Sequence, residues 1–118
     1  MKITLIRHGR TIGNVKGCFN GVTNDPLCDD GVETIKEYVE KGIYPEVGIV
    51  VSSPLKRCLQ TSNLIYPQHK PIVVDNLREI NFGDFENKTH LQLENNPDYI
   101  RWIKSNGTSD IPNGESFK

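Results

Sequence analysis

The sequence has no apolar run approaching the roughly eighteen residues of a membrane-spanning helix. The run behind Met1, in "KITLIRH", is too short for the core of a secretion signal. A cytoplasmic protein with no membrane partner is the expectation. An excess of one charge is also missing: 14 basic against 15 acidic residues leave a formal net charge of −1. No global field therefore draws nucleic acid, which is not an expected partner, and any anion site must be local. Cysteine is scarce. Cys18, Cys28 and Cys58 are odd in number and show no CxxC spacing, which argues against a disulfide framework and a zinc site and reads as three reduced thiols. Internal repeats and low-complexity tracts are absent. "HGRTIGN" fits neither GxGxxG nor GxxxxGK[ST], and "NDPLCDDG" has Pro26 and Cys28 where a calcium loop needs oxygen ligands.

What is present is an ordinary soluble composition. The 118 residues are 36% hydrophobic and 25% charged, enough for one core and one domain. Three segments read as buried strands because apolar and β-branched residues run without a helical period: 2–7 ("KITLIR"), 47–53 ("VGIVVSS") and 71–76 ("PIVVDN"). Two helices separate them. The first takes Asp29 or Asp30 as cap, presents Val32, Ile35 and Val39, and stops at Gly42. The second takes Ser53 as N-cap with Pro54 at the first helical position, buries Leu55, Leu59 and Ile65, and ends before Pro67. Alternating strands and helices predict an α/β fold with a mostly parallel sheet. Beyond residue 87 the pattern turns helical, first around "THLQLEN" and then from Asn96 and Pro97 through Tyr99, Ile100 and Ile103 to Gly107.

Ligands of an open parallel sheet bind beyond the carboxyl ends of its strands, and charged residues follow all three predicted strands. Arg7 and His8 follow the first, Arg57 opens the helix after the second, and Arg78 and Glu79 follow the third. Arginine's planar fork donates paired hydrogen bonds to phosphate oxygens, so Arg7 and Arg57 suit a clamp. The amino end of the helix beginning near Ser53 adds a favourable dipole, and Asn14 has an amide to donate. Neighbouring positive charge would keep His8 neutral, with a lone pair for attack on phosphorus. Glu79 would protonate the leaving oxygen, with Arg78 and the clamp pulling its proton away. Each residue taken singly also has an ordinary reading as a surface or strand-end group. His69 in "PQHKP" and His90 at a helix start read as exposed polar residues, and Trp102 with Tyr99 and Ile103 as packing.

These residues resemble the histidine phosphatase superfamily, also called phosphoglycerate mutase-like. "LIRHGRTIGN" is similar to its RHGxTxxN signature, "VSSPLKRCLQTSNLI" to SSPLxRAxQTA, "LREINFGDFEN" to LxExxFGxxEG, and "PNGESF" to the PGGES loop. The resemblance implies a three-layer α/β sandwich, no metal and no cofactor. It implies His8 as the phosphorylated nucleophile, Arg7, Asn14 and Arg57 as phosphate ligands, and Glu79 as proton donor. Cys58 replaces the usual alanine and Asn113 the usual glycine. Family members carry a second catalytic histidine in a later "HG" segment, and neither His69 nor His90 has that context. Residues 1–118 are therefore expected to form the N-terminal portion of one phosphatase domain, truncated before its C-terminal strands, with 87–107 as a helical insertion on the substrate side. Such a chain would be a poor catalyst and would self-associate through an exposed sheet edge.

"LREINFGDFEN" and the short spacing from Arg57 to Glu79 resemble the small phosphatases rather than the mutases. Within them the similarity is greatest to alpha-ribazole phosphatases of cobalamin synthesis. The expected activity is metal-independent hydrolysis of a small phosphorylated metabolite. The alternatives are phosphoglycerate mutase-type transfer and a non-catalytic phosphate-binding module.

Overall fold

Short helices and a minimal parallel sheet make up the computed structural model, which describes residues 1–116. Phe117, the last residue of the "PNGESF" segment, and Lys118 lie outside the described residues. In chain order the elements are α1 (Ile12–Lys16), α2 (Asp29–Glu40), β1 (Val51–Ser52), α3 (Lys56–Ile65), β2 (Ile72–Val73), α4 (His90–Leu93) and α5 (Pro97–Lys104). Short 3₁₀ turns lie at Asp75–Leu77 and Gly83–Phe85. These elements fall into two compact units. The first comprises Met1–Thr11 and Asp25–Leu77, and the second begins with Ile12–Asn24 and resumes at Arg78.

In the first unit the core is Leu27, Ile35, Ile65 and Tyr66, with Val32, Val47, Val50 and Leu64 packed against it. Helices α2 and α3 pack together. The N-cap of α2 is Cys28, one residue before the expected aspartates, and its side chain makes no cap bond. A tertiary contact sets this start, because the Cys28 N–H donates to the Arg10 carbonyl at 3.0 Å. Asp29 and Asp30 occupy the first turn, where their charge complements the helix dipole. Val39, expected on the buried face, is exposed. Gly31 lets the helix approach the chain behind His8: an ideal Cβ there would stand 2.2 Å from the Arg10 carbonyl oxygen.

Helix α3 also begins later than expected, with Leu55 rather than Ser53 as N-cap. The Ser53 hydroxyl accepts from the Leu55 N–H at 3.3 Å, a local turn that holds Pro54 outside the helix. Its end at Ile65, before Pro67, is as the sequence predicts. β1 and β2 pair in parallel with Val51 opposite Ile72 and Ser52 opposite Val73. The predicted strands over 47–53 and 71–76 thus contract to two residues each. The predicted strand over 2–7 does not form. Ile3 and Leu5 are 75% and 93% exposed, and among the described residues the backbone of 2–7 makes no hydrogen bond. The residues are suitable, but a strand is defined by its neighbour, and none is present among the described residues.

The second unit is built around aromatic rings. Phe85 is fully buried with Leu93, Tyr99 and Ile111, and Phe19, Ile80, Phe82 and Trp102 close over them. Phe85 meets Tyr99 edge-on at 5.4 Å between centroids, and Phe19 meets Trp102 at 5.7 Å. The two helices predicted beyond residue 87 are present. Thr89 and Gln92 form a reciprocal capping box on α4, and the Asn96 side chain accepts from the Asp98 and Tyr99 N–H groups to open α5. Tyr99 and Trp102 face inward on α5, while Ile100 and Ile103 are exposed.

Two carboxylates fasten the loops of this unit. Glu86 accepts from the N–H groups of Gly21 (3.0 Å), Thr23 (2.9 Å) and Phe82 (2.9 Å) and from the Thr23 hydroxyl (2.7 Å). Glu115 pairs with the Arg78 guanidinium and accepts from the Asn81 N–H at 3.0 Å, while its own N–H donates to the Asn81 carbonyl at 2.8 Å. The hydrogen bond from Arg78, and then that from Asn81, holds the Glu115 carboxyl below its ordinary range.

Gly31→Ala should lower stability to urea. Alanine gains about 1 kcal/mol of helix propensity, but displacing the helix from the Arg10 carbonyl costs roughly 1–3 kcal/mol, and equal or higher stability would contradict this close packing. Because the Glu115 value is depressed on folding, its contribution is complete above the unfolded carboxyl pKa and is lost as pH falls through the folded one. In Arg78→Gln the Glu115 carboxyl should titrate at higher pH by carbon-detected NMR; an unmoved titration would show that Arg78 is not the main cause.

Candidate phosphate and nucleophile site

His8 stands at the end of the extended segment 2–7, half-buried, and is followed by Gly9. The Gly9 N–H donates to the Thr61 hydroxyl oxygen at 3.0 Å, and that hydroxyl donates in turn to the Arg57 carbonyl at 2.7 Å. Thr61 lies one turn beyond Arg57 on α3. One hydroxyl, used as both acceptor and donor, thus ties the residue after His8 to the first turn of α3. Arg57 is 2% exposed. Burial of so large a cation at a helix amino terminus is an arrangement suited to an anion.

The His8 ring is oriented by its own chain. Nδ1 lies 2.7 Å from the Gly9 carbonyl oxygen. A carbonyl only accepts, so this bond assigns the proton to Nδ1 and leaves the lone pair of a neutral ring on Nε2. A nitrogen nucleophile requires that state. His8 also lines a cavity of about 350 Å³ whose polar wall includes Ser52, Ser53, Cys58 and Thr61.

The remaining predicted site residues are distributed differently. Arg7 precedes His8 in the first unit and is exposed. Asn14 is half-buried on α1, a helix that the sequence reading left out, and Glu79 is exposed; both belong to the second unit. Arg78 was expected to draw the proton from Glu79, but its guanidinium pairs with Glu115 and also donates to the Glu79 main-chain carbonyl at 3.1 Å. His69 packs edge-on against Tyr66, and His90 Nδ1 lies 2.7 Å from the Tyr99 hydroxyl, whose pKa is raised by burial.

Thr61, Glu86 and Glu115 are the residues with a positioning role that the sequence reading gave none. For Thr61 a signal existed, since its spacing of four from Arg57 places both on one helix face. For the two carboxylates the partners are far apart in sequence. The three cysteines are free. Among the described residues no group of three or more His, Cys, Asp or Glu side chains could hold a metal ion, and no helix is long and apolar enough to cross a membrane.

Comparison with known proteins follows the same segments. A model of the histidine phosphatase superfamily, branch 1, matches residues 3–118. The adenosylcobalamin/alpha-ribazole phosphatase of Salmonella typhimurium (strain LT2) is 30% identical over 125 residues, which cover 100% of this chain and 60% of that protein. The protein named probable phosphoglycerate mutase GpmB in Proteus mirabilis is 30% identical over 121 residues, covering 99% of this chain and 56% of its own length. The crystal structure of the alpha-ribazole phosphatase from Shigella flexneri is similar with a TM-score of 0.82 and 31% identity, over 95% of this chain and 57% of that one. The chain thus spans less than two thirds of the length of these relatives. With the family model covering the chain from residue 3 to its last residue, the protein belongs to branch 1 of the histidine phosphatase superfamily.

Proposed function

We propose that the protein acts in hydrolysis of phosphomonoesters through a phosphohistidine on His8, with alpha-ribazole 5'-phosphate as the favoured substrate. The observation that carries this reading is the bond from His8 Nδ1 to the Gly9 carbonyl, which leaves Nε2 as the nucleophilic atom. The Thr61 hydroxyl supports it by joining the Gly9 main chain to the turn that carries the buried Arg57. The substrate follows the names of the relatives, of which the Salmonella protein is an adenosylcobalamin/alpha-ribazole phosphatase.

In the first step the Nε2 lone pair forms a bond to phosphorus as the ester P–O bond breaks. Arg57 and Arg7 neutralise the phosphoryl oxygens, where transition-state charge accumulates, and Asn14 helps to orient them through its amide. Glu79 gives its proton to the leaving alkoxide. In the second step water attacks phosphorus, Glu79 takes the water proton, and the P–N bond breaks to release inorganic phosphate and neutral His8. A second reading, phosphoryl return to a hydroxyl of phosphoglycerate, is favoured by the similarity to a protein named as a phosphoglycerate mutase. The two differ in whether water or a substrate hydroxyl takes the phosphoryl group.

His8→Ala should reduce phosphate release from 4-nitrophenyl phosphate and from alpha-ribazole 5'-phosphate by roughly a thousandfold or more and abolish an acid-labile phosphoenzyme. Unchanged release would remove His8 from the mechanism; phosphate binding by both chains with no phosphohistidine in either would favour a binding module. Glu79→Gln should slow formation of the phosphoenzyme from alkyl esters by roughly 10²–10⁴-fold in a single turnover, with a much smaller loss on 4-nitrophenyl phosphate, whose leaving group needs no proton. Equal losses in this first step on both substrates would exclude Glu79 as the general acid.

A further inference from the structure

A second cavity, of about 350 Å³, lies within the first unit where two helices end. Val39 lines it from the last turn of α2, Ile65 and Tyr66 from the end of α3, and Tyr44 and Val47 from the connection that leads to β1. Val47, Ile65 and Tyr66 also line the cavity beside His8, so the two adjoin. The phosphate end of α3 is nonetheless distant. Ile65 is eight residues beyond Arg57, about 12 Å at the rise of a helix, so a small molecule held here would not reach Arg57.

The electrostatics of this place favour a cation. A helix carries partial negative charge at its carboxyl end, which a lysine or arginine in the last turn commonly offsets. Neither α2 nor α3 has a basic residue in its last turn. At the end of α3 the carbonyls are also short of donors: Pro67 has no N–H for Asn63, and the His69 N–H donates to Tyr66 at 3.0 Å rather than to Ile65. Lys41 and Lys70, the nearest cations in sequence, are exposed and do not line the cavity.

The side chains around the cavity have bonds to give. Tyr44, Glu46, Gln68 and His69 all line it, and none has a side-chain hydrogen bond or ion pair among the described residues. Burial, and then Tyr38 and Tyr66, raise the Tyr44 pKa, so its hydroxyl stays neutral beside the Glu46 carboxylate. Tyr66 differs, since its hydroxyl donates to the Pro45 carbonyl at 2.6 Å and the buried ring serves as a fixed wall. Glu46 and His69 alone are too few ligands for a metal ion. We infer that this cavity binds a small organic ammonium ion with an apolar body. Its charge would meet Glu46 and the ends of α2 and α3, and its body the rings of Tyr44 and Tyr66 with Val39, Val47 and Ile65. The site is distinct from the phosphate site and does not depend on the phosphatase reading.

The test titrates the 118-residue protein with 2-phenylethylammonium, and separately with its neutral counterpart 2-phenylethanol, and follows the amide resonances. Saturable shifts confined to residues 39–47 and 65–69 are expected, with affinity for the ammonium at least roughly tenfold above that for the alcohol. Glu46→Gln keeps the size of an exposed side chain and removes its charge. It should weaken the ammonium by roughly fivefold or more and leave the alcohol unchanged, while unmoved resonances elsewhere in α2 and α3 report that the unit is still folded. His8→Ala should bind the ammonium like the wild type, so a failure of this site and a failure of the phosphatase reading are read separately. Shifts that do not saturate, equal affinity for the alcohol, full ammonium affinity in Glu46→Gln, or shifts centred on residues 5–8 in the adjoining cavity would overturn the proposal.

Discussion

The geometry around His8 depends on the Thr61 hydroxyl. It accepts from the Gly9 N–H and donates to the Arg57 carbonyl, and so fixes the register between an extended segment and a helix that are about fifty residues apart in sequence. Without it the Gly9 donor would be left within a partly buried site, a cost of about 1–3 kcal/mol for a lost partner. Among the described residues segment 2–7 has no ladder to hold it. This hydroxyl, the Arg10 to Cys28 main-chain bond and the tight seat of Gly9 against Ile35 and Leu27 contribute to its position relative to α3.

The two units solve the problem of small size differently. The first relies on aliphatic packing between α2 and α3, with main-chain bonds joining 10–11 to 27–28. The second has few helical turns and uses aromatic rings for bulk and carboxylates for its loops. Rings bury large area per residue and pack edge-on without regular secondary structure around them. A carboxylate can satisfy several N–H donors that irregular loops would otherwise leave unpaired. Glu86 and Glu115 serve this purpose, which explains how chain with so little regular structure still encloses Phe85 completely.

Helices were legible in the sequence because their signals are local. The period of Val32 and Ile35, the Thr89–Gln92 box and the Asn96–Pro97 opening each act within a few residues. Boundaries moved where a contact from elsewhere intervened, as at Cys28, or where a serine preferred a turn to a cap, as at Ser53. The strand at 2–7 was misread for a different reason, since apolar alternation reports suitability for a ladder and not the presence of a partner. The family was legible because four motif segments follow one another in order along nearly the whole chain. The engagement of Arg78 by Glu115 was not, because thirty-seven positions separate the two and nothing local couples them.

Glu86 has a consequence for how the molecule is made. Its donors at Gly21 and Thr23 are 65 and 63 positions earlier in the chain, and the whole of 25–77 lies between them. On a ribosome the first piece of the second unit emerges early and must wait, with Phe19 uncovered, until the later piece arrives. Both units are interrupted in sequence, but both pieces of the first have emerged at Leu77, before the later piece of the second, so the aromatic core is the part left waiting for protection.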